Sequence, residues 1–249
     1  MTKFVRRSER EMHFNGRVFG RGLMAVAMAA TLALSAVVSD QPAAEASQRW
    51  STSLASVLVP PDQQAPGSVT MDPITLAQAA EDGGLGTPGM TSSPESCLSF
   101  ADDSVGGLGT RTGWMQFGRR GPAIFLQVVA KIPGGFDVNR VRTAVASCAT
   151  GTMTLEGKIT GQVTFVEQRP LRLLFGKSFV TRMTTTFPKP ANEEEAALLT
   201  KYNFHEGECP AEYVFVAVGN LFIWSLDPDP AIAVRAARIM YERALRYHG

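Results

Sequence analysis

The sequence predicts an α+β domain in which helices lie on an antiparallel sheet of about five to seven strands. Three observations point there. Beyond Cys97, short runs alternate apolar and polar residues with the period of two that marks half-buried strands. Among them stand three segments with apolar residues at helical spacing and a capping residue in front. Near the C-terminus two apolar runs are joined by Gly219-Asn220, the two-residue link of a hairpin.

The first 46 residues read as an address rather than as part of the fold. Lys3, Arg6, Arg7, Arg10, Arg17 and Arg21 precede an uncharged run from Leu23 to Ser39. Ala44-Glu45-Ala46 then offers small residues at the two positions a signal peptidase inspects. A basic flank, an apolar stretch and an A-x-A site predict a secretory signal peptide over 1–46. The apolar run, at about 17 residues and rich in Ala, is at the lower limit for crossing a bilayer, which leaves an uncleaved anchor as the alternative. Met12 offers an alternative start, and no cysteine follows the run before Cys97 to carry a lipid.

From 47 to 95 the chain is dominated by Ser, Thr, Ala, Gly, Pro, Gln and Asp, with breaks at Pro60-Pro61, Gly83-Gly84 and Thr87-Pro88-Gly89. This composition predicts a flexible Pro/Gly/Ser-rich arm, a soluble spacer with no core of its own. Within it, Asp72-Pro73 ahead of Ile74, Leu76, Ala77 and Ala80 would start one short helix.

The folded domain is expected over 96–249. Gly113–Gly118 and Thr152–Glu156 are short strand candidates. In 122–132, Ile124, Leu126, Val128, Ala130 and Ile132 share one face and Gln127 and Lys131 the other. In 158–168, Ile159, Val163 and Phe165 oppose Thr160, Gln162 and Thr164. Phe179, Met183 and Phe187 alternate with Val180, Arg182, Thr184 and Thr186. Asp137 is placed to cap a helix carrying Val138, Val141, Val145 and Cys148 on one side. Asn192 with Glu195 makes a capping-box-like start ahead of Leu198, Leu199 and Tyr202. Asp229-Pro230 supplies a cap and an N1 proline before the stripe Ile232, Ala236, Ile239 and Met240.

The hairpin Tyr213–Val218 and Leu221–Leu226 is apolar on both sides. Val214, Val216, Val218, Leu221 and Ile223 gather on one, and Tyr213, Phe215, Phe222, Trp224 and Leu226 on the other. Neither side can simply meet water, so helices are expected to cover both. In the functional alternative, Tyr213, Phe215, Phe222 and Trp224 line a groove for an apolar ligand.

Composition narrows the function. With 24 Lys+Arg against 23 Asp+Glu, and less of both once the leader is removed, the chain lacks the basic excess of a nucleic-acid binder. His13 lies in the leader and His248 is penultimate, so only His205 is placed to serve a folded site. His205-Glu206-Gly207-Glu208-Cys209 holds metal-ligand types without the spacing of a zinc helix, and neither a metal nor a cofactor is expected. No G-x-S-x-G is present. Gly176-Lys177-Ser178 is the nearest serine-containing loop and lacks the second glycine; with one usable histidine, a Ser-Lys pair stays open as a nucleophilic option. Glu193-Glu194-Glu195, Asp102-Asp103 and Asp227 with Asp229 sit where caps and turns want them. Gly106-Gly107-Leu108-Gly109 lacks the strand–turn–helix context of a phosphate cradle, and Arg119-Arg120, Arg169 and Arg172 read as turn and loop charges.

An exported domain oxidises its cysteines. Cys97, Cys148 and Cys209 permit three single pairings, among which spacing does not choose; a Cys97–Cys148 bridge would close a loop of about fifty residues, worth about 4 kcal/mol in the chain-entropy treatment. Ser96-Cys97, Gly113-Trp114, the Phe136-Asp137 helix ending Ala146-Ser147-Cys148, and Gly151-Thr152-Met153-Thr154 resemble a family of secreted actinobacterial, chiefly mycobacterial, envelope proteins of unknown function. That family is similar to the extracytoplasmic sensor domain of membrane Ser/Thr kinases. The resemblance, over about Cys97 to Tyr247, implies a twisted sheet, a Cys97–Cys148 disulfide and a cleft for an unidentified ligand. Cys209 matches the later cysteine of a second bridge in the sensor domains, but no cysteine between Ala149 and Glu208 matches the earlier one.

The expectation is therefore an exported, non-catalytic envelope protein that binds a small apolar ligand or an envelope protein. No nucleic acid is expected as a partner, and the membrane only through an uncleaved leader. The alternatives are an envelope hydrolase with an unrecognised site, or a structural or secretion-associated module dimerising through Cys209.

Overall fold

A computed structural model describes residues 53–82 and 89–247. The expected signal peptide and parts of the arm, including Gly83-Gly84, lie outside the described residues. The architecture is α+β, and the sheet is open and larger than the five to seven strands expected. Among the described residues it holds ten: β1 (Ser68–Thr70), β2 (Ile74–Thr75), β3 (Met90–Ser93), β4 (Gly113–Arg120), β5 (Ala123–Lys131), β6 (Thr150–Leu155), β7 (Ile159–Gln168), β8 (Lys177–Phe187), β9 (Gly207–Val218) and β10 (Leu221–Asp227). The strand order is β1-β4-β5-β10-β9-β8-β7-β6-β3, every pair antiparallel, with β2 also on β4.

The three extra strands come from the segment expected to be a flexible arm. β1 and β2 extend the sheet beyond β4, and β3 forms the opposite edge against β6. Before them, Leu54–Val57 makes a 3-10 turn capped by Ser53 Oγ, and Leu54, Val57, Leu58 and Val59 are buried. The described parts of 53–95 thus belong to the domain. Strands of two to four residues are too short to show a period, and this segment borrows its core from the sheet it lies on.

Among the described residues five α-helices accompany the sheet: α1 (Leu76–Glu81), α2 (Ser96–Val105), α3 (Val138–Ala146), α4 (Glu193–Lys201) and α5 (Pro230–Ala244). α1 is capped by Thr75, whose Oγ1 accepts from the Gln78 N–H at 3.1 Å, because Ile74 and Thr75 are held extended on β4. That moves the start from the expected Asp72-Pro73. Asp137, Asn192 and Asp229 each cap their helix as the spacing predicts.

α2, α3 and α4 pack on the face carrying Tyr213, Phe215, Phe222 and Trp224, while α5 and the 54–59 segment pack on the face carrying Val214, Val216 and Ile223. The hairpin has the predicted register, Val218 opposite Leu221 and Phe215 opposite Trp224, and Gly219 turns it at φ +58°. β5 differs from a half-buried strand. Gln127, on its polar side, is only 1% exposed, because the N-terminal segment lies over it.

Candidate functional site

The side chains named as a candidate ligand surface form one stacked row. Phe215 lies 5.8 Å from Trp224 and 6.1 Å from Phe222 between ring centroids, and Tyr213 6.2 Å from Trp224, with planes within about 25° of parallel. Such offset stacks follow from strand pairing, which sets opposite side chains side by side. All four rings are 2% exposed or less. Phe100 of α2 closes over the row at 5.5 Å from Tyr213 and 6.1 Å from Phe215, and Phe136 covers Phe222 edge-on at 4.7 Å. As folded, the row is core rather than an open groove. Two polar features remain inside it. Burial pushes the Tyr213 phenol well above its usual pKa, and its hydroxyl donates to Met183 Sδ at 3.6 Å. The Trp224 indole N–H is buried with no hydrogen-bond partner among the described residues.

Cys97 and Cys148 are bridged, with Cα atoms 5.2 Å apart across a separation of 51 residues. The bond ties the first turn of α2 to the end of α3, the two helices that roof the aromatic row. Cys209 is free and buried. Desolvation raises its thiol pKa, and the His205 backbone N–H, 3.4 Å from Sγ, only partly offsets this. A buried neutral thiol is a poor nucleophile and a poor dimer link.

On the other face lies a cleft of mixed polar and apolar lining, about 340 Å³ with open solvent included, between the N-terminal segment, the ends of β4 and β10, and α5. Gln127 Oε1 accepts from the Val59 N–H at 3.0 Å, and Gln127 Nε2 donates to Gln64 Oε1 at 3.0 Å. Gln64 Nε2 donates to the Val59 carbonyl at 2.9 Å and Gln116 Nε2 to the Met71 carbonyl at 3.0 Å. At one end Arg120 makes a two-pronged pair with Asp227, at 2.9 and 3.1 Å. The hydrogen bonds to Asp227 hold the Arg120 guanidinium above its ordinary pKa. These are directional contacts that lock a loop, with every named amide engaged. Arg120, expected to be a turn charge, is instead a sheet residue answering a carboxylate that is 2% exposed.

The remaining chemically suggestive residues have structural partners. Ser178 is buried and donates to the Leu171 carbonyl at 3.2 Å, while adjacent Lys177 is exposed and, by strand alternation, leaves on the other face. Lys177 and Ser178 therefore do not form a Ser-Lys pair. His205 Nδ1 lies 2.8 Å from the Glu206 carbonyl, and no group of three metal-ligating side chains occurs among the described residues. Asp229 accepts from Ala231 N–H, Asn192 from Glu195 N–H, and Glu194 pairs with Lys158. Gly106 and Gly107, both at positive φ, end α2, where Arg111 donates to the Val105 carbonyl at 2.7 and 3.0 Å.

One exposed feature went unremarked in the sequence: Leu174 and Phe175, between β7 and β8, are 90% and 67% exposed. The signal was the run Leu171-Arg172-Leu173-Leu174-Phe175, more apolar than a loop requires.

No known protein family matches the chain, and no curated protein matches it. The chain aligns with the extracellular domain of PknH from Mycobacterium tuberculosis at 14% identity and a TM-score of 0.46, covering 76% of this chain and 94% of that one. It also aligns with an uncharacterised protein from Mycobacterium smegmatis at 10% identity and a TM-score of 0.41, covering 80% of this chain and 98% of that one.

Proposed function

We propose that the chain is an exported, non-catalytic protein of the cell envelope that acts by binding. The observation that carries this reading is the Cys97–Cys148 bridge, since structural disulfides persist in oxidising compartments and are rare in the cytosol. The leader expected over 1–46 points the same way. The nucleophile, acid and base candidates support the non-catalytic half, because Ser178, His205, Asp227 and Asp229 are engaged in backbone or ion-pair contacts. Fractionation of the host cell tests the export half. The protein is expected outside the cytosol with its N-terminus shortened or anchored in the membrane, and a soluble cytosolic product with an intact leader overturns it. A fluorophosphonate probe tests the other half: labelling abolished by a single substitution would make the protein an enzyme.

A second reading has its own observation. The Trp224 N–H, without a partner among the described residues, sits in a mostly apolar row under α2 and α3, and an unmet buried donor costs about 1–3 kcal/mol. A small apolar ligand with one acceptor, admitted by displacement of the disulfide-tied helix pair, would satisfy it. Native mass spectrometry of protein from its own host tests this: a retained lipid-like mass lost in Trp224→Phe supports it, and recovery of the bare chain counts against it.

A further inference from the structure

The segment from Arg169 to Lys177 is built with its apolar residues split between inside and outside. Leu171 and Leu173 turn inward onto the core under α5, while Arg172, Leu174 and Phe175 face solvent. The tip is held from three sides. The Phe175 N–H donates to the Tyr241 hydroxyl of α5 at 3.0 Å, and the Leu171 carbonyl accepts from Ser178 Oγ. Gly176, at φ +91°, passes so close to β9 that an added Cβ would lie 2.2 Å from the Ala217 carbonyl oxygen. Leu174 and Phe175 are thus presented rather than left over from a slack loop, and among the described residues few exposed side chains match their apolar area. Their flanks are basic and exposed: Arg169 and Arg172 before the tip, Lys177 after it, with no acidic residue between Gln168 and Ser178. The nearest carboxylates along the adjoining elements are Glu167, paired with Arg142, and Glu242, beside Tyr241. Apolar side chains at the apex with cations behind them match the layering of an anionic bilayer surface, acyl chains beneath phosphates.

We propose that the 169–177 loop is a membrane-docking tip that inserts Leu174 and Phe175 into the interface of an anionic lipid surface while Arg169, Arg172 and Lys177 contact its phosphates. This rests on the export reading, which would bring the domain to an envelope membrane.

The test uses the full chain carrying Phe175→Trp, with Gln162→Trp on the open part of β7 as the control, and vesicles of phosphatidylglycerol or of phosphatidylcholine containing a brominated lipid. The indole introduced at the tip is expected to shift blue and be quenched by the phosphatidylglycerol vesicles, the control not. Replacing Arg169, Arg172 and Lys177 together by Gln should weaken the quenching titration about 100-fold, at about fivefold per charge. Equal quenching at both positions, no quenching, or no preference for phosphatidylglycerol overturns the proposal. A blue shift that follows protein concentration without lipid also overturns it, in favour of a self-association surface. Because the readout is in vitro, its failure leaves the export reading standing, and a cytosolic fractionation result fails the export reading whatever the vesicles show.

Discussion

The two faces of the central strands are stabilised by different means. On one, Phe165, Phe179, Tyr213, Phe215, Phe222 and Trp224 lie ring beside ring, with Phe100 of α2 against them, under helices joined by a disulfide. Stabilisation there is spread over many undirected contacts. The other face is divided. Under α5 it is aliphatic, with Val214, Val216 and Ile223, but toward β4 it carries buried Gln116, Gln127 and Asp227, with buried Glu212 paired to Arg182 further along. Each of these demands a specific partner, because an unmatched buried polar group costs more than the matched one contributes. The aromatic face holds the larger cluster of buried apolar side chains, and the polar half of the other face supplies the directional contacts that hold residues 53–71.

That contrast can be broken from either side. Trp224→Ala should have the largest effect, about 4 kcal/mol lost in denaturant unfolding, since it empties a fully enclosed site under the helix roof. Asp227→Ala should follow at about 3 kcal/mol, because Arg120 is left partly buried without its carboxylate. Gln127→Ala should cost about 2 kcal/mol, and hydrogen exchange should rise over 54–64 while the hairpin stays protected; uniform exchange would show the N-terminal segment is no separate layer. The smallest effect concerns Glu156, which lies off both faces at the β6–β7 turn. Hydrogen bonds from Lys201, first, and Tyr202 hold its carboxyl below the usual range, so its contribution is present at neutral pH and lost as pH falls through the lowered value. The Tm difference between wild type and Glu156→Gln should therefore shrink to nothing in acid.

What sequence disclosed follows the same division. The β9–β10 register was readable because alternation and a two-residue link determine each other, and α3, α4 and α5 because Asp137, Asn192 and Asp229 stand directly ahead of apolar stripes. The Cys97–Cys148 pairing came from resemblance, since spacing alone left three choices. α2 was missed although Cys97, Phe100, Ala101 and Val105 keep a helical period, because Ser and Asp are weak helix formers and Asp102-Asp103 read as the lead into a turn. The N-terminal segment was missed because its holding contacts are long-range, across 68 residues from Val59 to Gln127 and across 187 from Ser56 to Arg243, and no local pattern encodes them. For the candidate site, sequence marked Tyr213, Phe215, Phe222 and Trp224 as one surface, and the structure keeps them together. It could not tell that Phe100 and Phe136 lie across them, since roofing a strand is a tertiary fact.

The account depends most on a covalently braced aromatic face in an oxidising compartment. Digesting unreduced protein from its own cells, under conditions that block thiol exchange, and mapping the peptides by mass spectrometry examines that directly. A linked peptide pair containing Cys97 and Cys148, with Cys209 alkylated only after unfolding, is the predicted result. Three cysteines recovered as free thiols, or Cys209 found in the bridge, would contradict it.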